Sequence, residues 1–397
     1  MRAFEHYREE EHVRIAVAAP EFGRIWGGIG TYLGQWLRGV GSKHEVTMLT
    51  AHKSDSADAG VRTVPLTNGG GVMATYLKFQ LALRRQWPDL IREYRPDLLI
   101  VHHAQMPDLL TPYERCPVVV TTHTTILGQS KGIAEAVRHG GPLDETEKTT
   151  LAGLPALLPA ELYYWKRVRH ALFVSGAVRD EVQGTYGPAL RTSATVLNGF
   201  AMDGTPSTAA GGKVYDNEPE YILYTGRLLG WKGLAVLLQA LLHVHRRERL
   251  LVTGSGNVSA WRKYAASLGL STDRVQFLGA IPRPDLLSRL QGAKLVVLPS
   301  FMESCPYSLI EAMAFQKPIV ASSIPGVLDM VEDGVSAVLV PPGDPVALGA
   351  AIDRVLDDAA LGARLGRAAA STARERFSVE RMGAQTLTYL DQVLAAS

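Results

Sequence analysis

The sequence predicts an α/β protein made of two similar halves in tandem, each a parallel sheet with helices on both faces. Three observations predict it. Short apolar runs alternate with helical stretches along most of the chain. Residues 198–220 turn polar and rich in Gly, Ser, Thr and Pro, and the same alternation then restarts. The 397 residues also exceed the ~250–300 at which a single core stops growing.

In the first half, residues 13–19 read as a buried strand that Pro20 ends, and a loop runs through Trp26-Gly27-Gly28-Ile29-Gly30 to a helix over 31–40. Strand 46–50, helix 77–94 and strand 97–101 follow, then strand 117–123 with His123 at its end. Residues 172–175 and 195–197 continue the series. Residues 124–166 match no period; with Gly140-Gly141-Pro142, acids over 144–147 and a Leu/Pro-rich run, they read as a flexible element facing an acceptor. The restart brings strand 221–225, the loop Gly226-Arg227-Leu228-Leu229-Gly230-Trp231-Lys232-Gly233 and a helix over 234–244. Strands 250–253, 275–279, 295–299, 319–322 and 337–340 follow. Met382, Leu387, Leu390 and Leu394 stand near helical spacing, so 377–396 reads as a closing helix.

Composition narrows the function. The net charge of +2 gives no electrostatic case for nucleic acid. Cys116 and Cys305 stand far apart with no Cys-x-x-Cys spacing, which indicates neither a disulfide framework nor a zinc site. No run approaches the ~18 apolar residues of a membrane span, and residues 1–12 are charged, without a signal peptide's apolar core. A cytoplasmic enzyme is expected, as a monomer or homodimer. The cluster Tyr163-Tyr164-Trp165-Lys166-Arg167 suggests peripheral contact with a membrane, contact with an anionic acceptor or, more simply, a helix face with snorkelling basic side chains.

The most informative stretch is Glu303-Ser304-Cys305-Pro306-Tyr307-Ser308-Leu309-Ile310-Glu311, between two apolar strands. Pro306 suits a first helical position. The amides of residues 307–310 would then face outward at the positive end of the helix dipole, a ready anion site. Glu311, about one turn in, reaches a ribose diol; Glu303, before the helix, reaches a sugar beyond the phosphates. Arg227 and Lys232 share one glycine-rich loop and can neutralise a diphosphate without a metal, and the chain has no Asp-x-Asp pair to hold one. Gly27, Gly28 and Gly30 do not make a dinucleotide fingerprint: seven residues separate them from the strand, and the second strand ends without an acid. They read as a loop whose amides approach a substrate phosphate. His123, at the carboxyl end of a parallel strand, stands where open α/β sheets place ligands. His102 and His103 end another strand in the same way, with no supporting pattern.

These residues resemble the retaining GT-B glycosyltransferases of family 4. The matching runs are Gly27-Gly28-Ile29, His123, Val196-Leu197-Asn198-Gly199-Phe200, Gly226-Arg227 with Lys232-Gly233, and Gly254-Ser255-Gly256. They continue with Phe277-Leu278-Gly279, residues 303–311, and Asp333-Gly334 leading to Pro341-Pro342-Gly343-Asp344. The resemblance implies two Rossmann-like domains facing across a cleft. An acceptor domain would span 1–205, a nucleotide-sugar domain 206–375, and a helix over 376–397 would cross back to the first domain. It implies a catalytic set of Arg227, Lys232, Glu303 and His123, the cations on the diphosphate and the other two on the transferred sugar. Donor contacts would come from Gly27, Gly28, Gly226, Gly254, Gly279, Ala280, Cys305, Pro306, Tyr307, Ser308, Leu309 and Glu311, with backbone near 279–280 meeting the base. Two departures stand out: Ser322-Ser323-Ile324-Pro325 replaces a glycine-rich turn, and Thr124 replaces the acid that often follows the histidine. The implied reaction moves a hexose or N-acetylhexosamine from a UDP-sugar to a hydroxyl of a small-molecule or glycan acceptor, with retention and no metal or other cofactor. A GDP-mannose-dependent mannosyltransferase, or an epimerase or phosphorylase on the same fold, is the alternative.

Overall fold

A computed structural model describes residues 12–22, 28–41, 43–52, 61–67, 72–103, 108–112, 115–203 and 220–397. The first domain holds strands β1 Arg14–Ala18, β2 Glu45–Thr50, β3 Arg62–Pro65, β4 Leu98–His103, β5 Val118–Thr122, β6 His170–Phe173 and β7 Thr192–Thr195. The second holds β8 Tyr221–Thr225, β9 Arg249–Thr253, β10 Val275–Gly279, β11 Leu295–Leu298, β12 Ile319–Ser322 and β13 Val338–Val340. The first sheet runs β3-β2-β1-β4-β5-β6-β7 and the second β10-β9-β8-β11-β12-β13, every pairing parallel. Helices cover both faces, so the central strands are continuously apolar, as in Leu98-Leu99-Ile100-Val101 and Leu295-Val296-Val297-Leu298, all buried. In each sheet the strand order reverses beside the first strand, between β1 and β4 and between β8 and β11. Open α/β sheets bind ligands at such points, beyond the strands' carboxyl ends.

The helices are α1 Gly28–Val40, α2 Val72–Tyr94, α3 Ile126–Arg138, α4 Glu145–Arg167, α5 Gly176–Tyr186, α6 Leu234–Ala240 and α7 Val258–Ser267. They continue with α8 Arg283–Gly292, α9 Tyr307–Ala314, α10 Pro325–Leu328, α11 Pro345–Asp357, α12 Ala359–Arg376 and α13 Val379–Ala395. Among the described helices none is long and apolar enough to cross a membrane. The closing helix α13 packs on α1 of the first domain. Two glycines bring the backbones together: a Cβ on Gly383 would stand 2.4 Å from the Gly39 carbonyl oxygen. Tyr389 adds a hydrogen bond from its hydroxyl to the Thr192 carbonyl at 3.1 Å.

Residues 124–166, expected to be flexible, are instead the helical hairpin α3–α4. Asp144 and Glu147 form a reciprocal capping box that starts α4, and the helix runs on through Pro155 and Pro159. The hairpin docks on the second domain: Ile133 packs with Leu229 and Trp231, and the Trp231 amide donates to Glu147 Oε1 at 3.2 Å. Other expectations shift by a few residues. α1 begins at Gly28 rather than 31, and β6 and β7 each begin two or three residues earlier than their apolar runs. The edge strand β3 was not foreseen; it is short, and its Arg62 and Pro65 are exposed. The expected domain boundary, at 205–206, falls in 204–219, outside the described residues. Within the aromatic-basic cluster Tyr164 and Trp165 are wholly buried, while Tyr163 is 57% exposed with the Arg167 guanidinium over its ring.

Candidate functional site

A cleft of about 690 Å³ opens between the carboxyl ends of the two sheets and is lined from both domains. Its second-domain wall is set by tight backbone packing. Gly254, after β9, has φ 147°, and a Cβ there would stand 1.7 Å from the Gly226 carbonyl oxygen, so the loops after β8 and β9 can touch only through glycine. Gly233 (φ 70°) ends the 3₁₀ turn Gly230–Lys232, and a Cβ would meet the Pro299 oxygen at 1.8 Å. These contacts hold Arg227 and Lys232 on the cleft wall.

Lys232 Nζ lies 2.8 and 2.7 Å from the two carboxylate oxygens of Glu303, and Ser300 Oγ donates to the same carboxylate at 2.8 Å. Helix α9 starts a few residues on, with no side-chain cap. The Leu309 and Ile310 amides bond the Pro306 carbonyl at 3.1 and 3.2 Å, which leaves Tyr307 and Ser308 as its unpaired first-turn donors among the described residues. Asn198 Nδ2 donates to the Cys305 carbonyl at 2.7 Å and ties this loop to the end of the first domain. One turn into α9, Glu311 pairs with Arg283. Burial pushes the Glu311 carboxyl up, and the nearby Arg283 charge and hydrogen bond oppose it.

On the first-domain wall, His123 follows β5 and its Nε2 lies 3.1 Å from His102 Nδ1. The Tyr32 ring stands edge-on to both imidazoles, with centroids 4.7 Å from His123 and 5.6 Å from His102. Burial pushes His102 down to about 3; it pushes His123 well below its ordinary value too, helped by His102 and His103. Both are neutral imidazoles at neutral pH. Glu21, just past β1, is 4% exposed and accepts a hydrogen bond from Tyr76. Burial pushes it up to about 7, against the pull of Arg227.

The structure gathers Gly28, His123, Gly226, Arg227, Lys232, Gly254, Ala280, Glu303, Cys305, Pro306, Tyr307, Ser308 and Glu311 on this one cleft. Gly27 lies outside the described residues. Leu309 and Gly279 are not on the lining. The Leu309 side chain is wholly buried in the core, and the Gly279 carbonyl is occupied by the Gly254 amide at 2.9 Å and Thr253 Oγ1 at 3.0 Å. Pro306 precedes the helix instead of opening it, so its carbonyl consumes two of the four amides expected to be free. Sequence reasoning missed Glu21, Arg283, Ser300 and the His102 partner of His123. Arg283 had a signal, since Pro282 and Pro284 flank it at a helix start just past Ala280. Glu21 had none beyond its place after a buried strand. Among the described residues no three His, Cys, Asp or Glu side chains converge to hold a metal ion.

Two family models match the chain, Glycosyltransferase Family 4 over residues 26–201 and Glycosyl transferases group 1 over residues 212–372. A glycogen synthase of Mycobacterium tuberculosis is 27% identical over 357 residues, covering 85% of this chain and 81% of that protein. Among solved structures, a sucrose-phosphate synthase of Thermosynechococcus elongatus has a TM-score of 0.76 at 22% identity, covering 97% of this chain and 100% of that one. Anabaena HepE in complex with UDP and glucose has a TM-score of 0.73 at 19% identity, covering 96% of this chain and 100% of that one. Likeness at these identities is likeness of fold.

Proposed function

This chain is a GT-B glycosyltransferase of group 1, and from that premise we propose that it moves a hexose or N-acetylhexosamine from a UDP-sugar to an acceptor hydroxyl with retention at the anomeric carbon. One observation carries the reading: Arg227, Lys232 and the unpaired Tyr307 and Ser308 amides converge on a single cleft, with Glu311 one helical turn beyond. Two cations and a helix N-terminus suit a diphosphate, and the carboxylate beyond them suits a ribose diol. Glu303 and the neutral His123 then face the sugar from opposite walls.

Retaining transfer through a covalent intermediate needs a carboxylate nucleophile. Glu303 is engaged with Lys232, so we assign front-face attack instead. The acceptor oxygen bonds to the anomeric carbon as the bond to the phosphate oxygen breaks on the same face. The acceptor proton passes to that phosphate oxygen. Arg227, Lys232 and the α9 dipole stabilise the charge that develops on the leaving diphosphate, in a role a divalent metal fills elsewhere. A thermal-shift panel of UDP-, GDP- and ADP-sugars tests the donor, because a ligand that binds only the folded state raises its stability by mass action. UDP-sugars are expected to give the largest shift; a larger one from GDP-sugars would replace the nucleotide. Turnover is expected to survive EDTA, and its loss would end metal independence.

A further inference from the structure

The donor contacts leave Glu21 without a role. It lines the cleft with Gly28, Gln35 and His123, and its enclosure is nearly complete. Tyr76 donates to Oε1, and the other carboxylate oxygen has no hydrogen-bond donor among the described residues. Arg227, across the cleft, is the cation whose field reaches it. An enclosed carboxylate is costly unless a cation or several donors face it. Arg227 offsets that cost only in part, since burial still pushes the carboxyl up to about 7. Once a diphosphate engages Arg227, Glu21 keeps only Tyr76.

The rest of that wall decides what could replace Arg227. Thr31, Gln35, His123, Gln129 and Asn198 line it, and no Lys or Arg of the first domain does so among the described residues. A phosphorylated acceptor would bring its negative charge beside a buried carboxylate, with no cation among the described residues of that wall to meet it. An ammonium group would make a charge-assisted hydrogen bond to the unpaired oxygen. We propose that Glu21 selects the acceptor, and that the acceptor is a polyhydroxylated amine, a sugar or cyclitol bearing an ammonium group, rather than a sugar phosphate. This rests on the transferase reading above.

The experiment separates the two. Calorimetric titration of the full chain with UDP, GDP and ADP reads the donor site alone, and binding of none of them removes the donor reading. With the bound nucleotide present, glucosamine, glucose and glucose 6-phosphate are titrated as probes. Glucosamine is expected to bind about tenfold tighter than glucose, the scale of one hydrogen bond to a charged group, and glucose 6-phosphate more weakly than either. Glu21→Gln keeps an acceptor oxygen for Tyr76 and removes the charge, so it is expected to erase the glucosamine advantage. A preference for glucose 6-phosphate, equal affinities, no binding of any probe, or an advantage that survives Glu21→Gln overturns the assignment. The unsubstituted chain decides the question even where the variant folds poorly.

Discussion

Lys232 holds Glu303 by both carboxylate oxygens, at 2.8 and 2.7 Å. The cation assigned to the leaving group is therefore the ion-pair partner of the acid assigned to the sugar. Glu303 is nearly enclosed, with 6% of its side chain exposed, while Lys232 keeps 24%. A donor must insert its diphosphate beside Lys232 without stripping Glu303 bare, which couples leaving-group and sugar contacts.

Lys232→Ala is expected to lower turnover about 10²–10³-fold, the scale of losing one preorganised stabiliser of developing charge. Because the residues act as a pair, Lys232→Ala combined with Glu303→Gln should cost less than the sum of the two, by about 0.5–3 kcal/mol. Strict additivity in a double-mutant cycle on kcat/KM would show that the ion pair has no part in the reaction.

Glu311 and Arg283 make the second pair of the donor wall. If Glu311 meets the ribose, Glu311→Ala weakens UDP binding by about tenfold, the value of a hydrogen bond to a charged group, and leaves pyrophosphate affinity as it was. Arg283→Ala leaves a buried carboxylate without its cation, so it should lower the melting temperature more than Glu311→Ala does. Parallel losses of UDP and pyrophosphate affinity in Glu311→Ala would refute the ribose assignment.

Much of this arrangement was legible in the sequence, and what was not has physical causes. Buried parallel strands write themselves as unbroken apolar runs, so β1, β4, β5, β8 and β11 were read within a few residues. Edge strand β3 has no such signature, since Arg62 and Pro65 face solvent. Helix α4 was hidden by Pro155 and Pro159, residues that usually end helices. Arg227, Lys232, Glu303 and Glu311 were legible because a loop with two cations and a helix start with two acids are local patterns. The pairing of Lys232 with Glu303 joins loops 71 residues apart, and that of His102 with His123 comes from β4 and β5 lying side by side, so no local pattern records either.

The His102–His123 pair gives the fold an acid sensitivity. A histidine held below its ordinary value takes up a proton first in the unfolded chain. Its stabilising contribution is therefore complete above about 6.5 and is lost as pH falls toward the folded value, about 3 for His102. Between pH 6.5 and 5 that amounts to about 2 kcal/mol for His102. The melting temperature should fall over this range, and the fall should be shallower in His102→Gln. His123 is held well below its ordinary value by burial, so the kcat/KM profile should lack a limb near pH 6.5; a histidine limb there abolished by His123→Asn would contradict this.

Glu21 acts in the opposite sense. Its folded value of about 7 lies above the ordinary 4.5, so the folded state keeps its proton longer than the unfolded chain. Stability is lost as pH rises from 4.5 to 7, by on the order of 3 kcal/mol in full. Glu21→Gln removes that loss. Relative to the parent, the variant should gain melting temperature at pH 8 and gain little or none at pH 4.5. A gain that does not depend on pH would place the effect elsewhere than in the carboxyl's ionisation.

Glu147 links the hairpin to the donor wall. Wholly buried, it accepts the Asp144 amide at 2.9 Å, closing the capping box of α4, and the Trp231 amide at 3.2 Å, one residue before Lys232. Asp144→Ala removes only the other half of the box, so it should cost about 0.5–2 kcal/mol of stability with donor KM nearly unchanged. Glu147→Ala loses the box and also leaves the Trp231 amide unpaired against the first domain, which loosens the turn that carries Lys232. It is expected to raise donor KM in addition to lowering the melting temperature, and Glu147→Gln, which keeps an acceptor oxygen, should recover most of the KM. Equal donor KM values in Asp144→Ala and Glu147→Ala would mean that the hairpin stabilises the first domain without positioning Lys232.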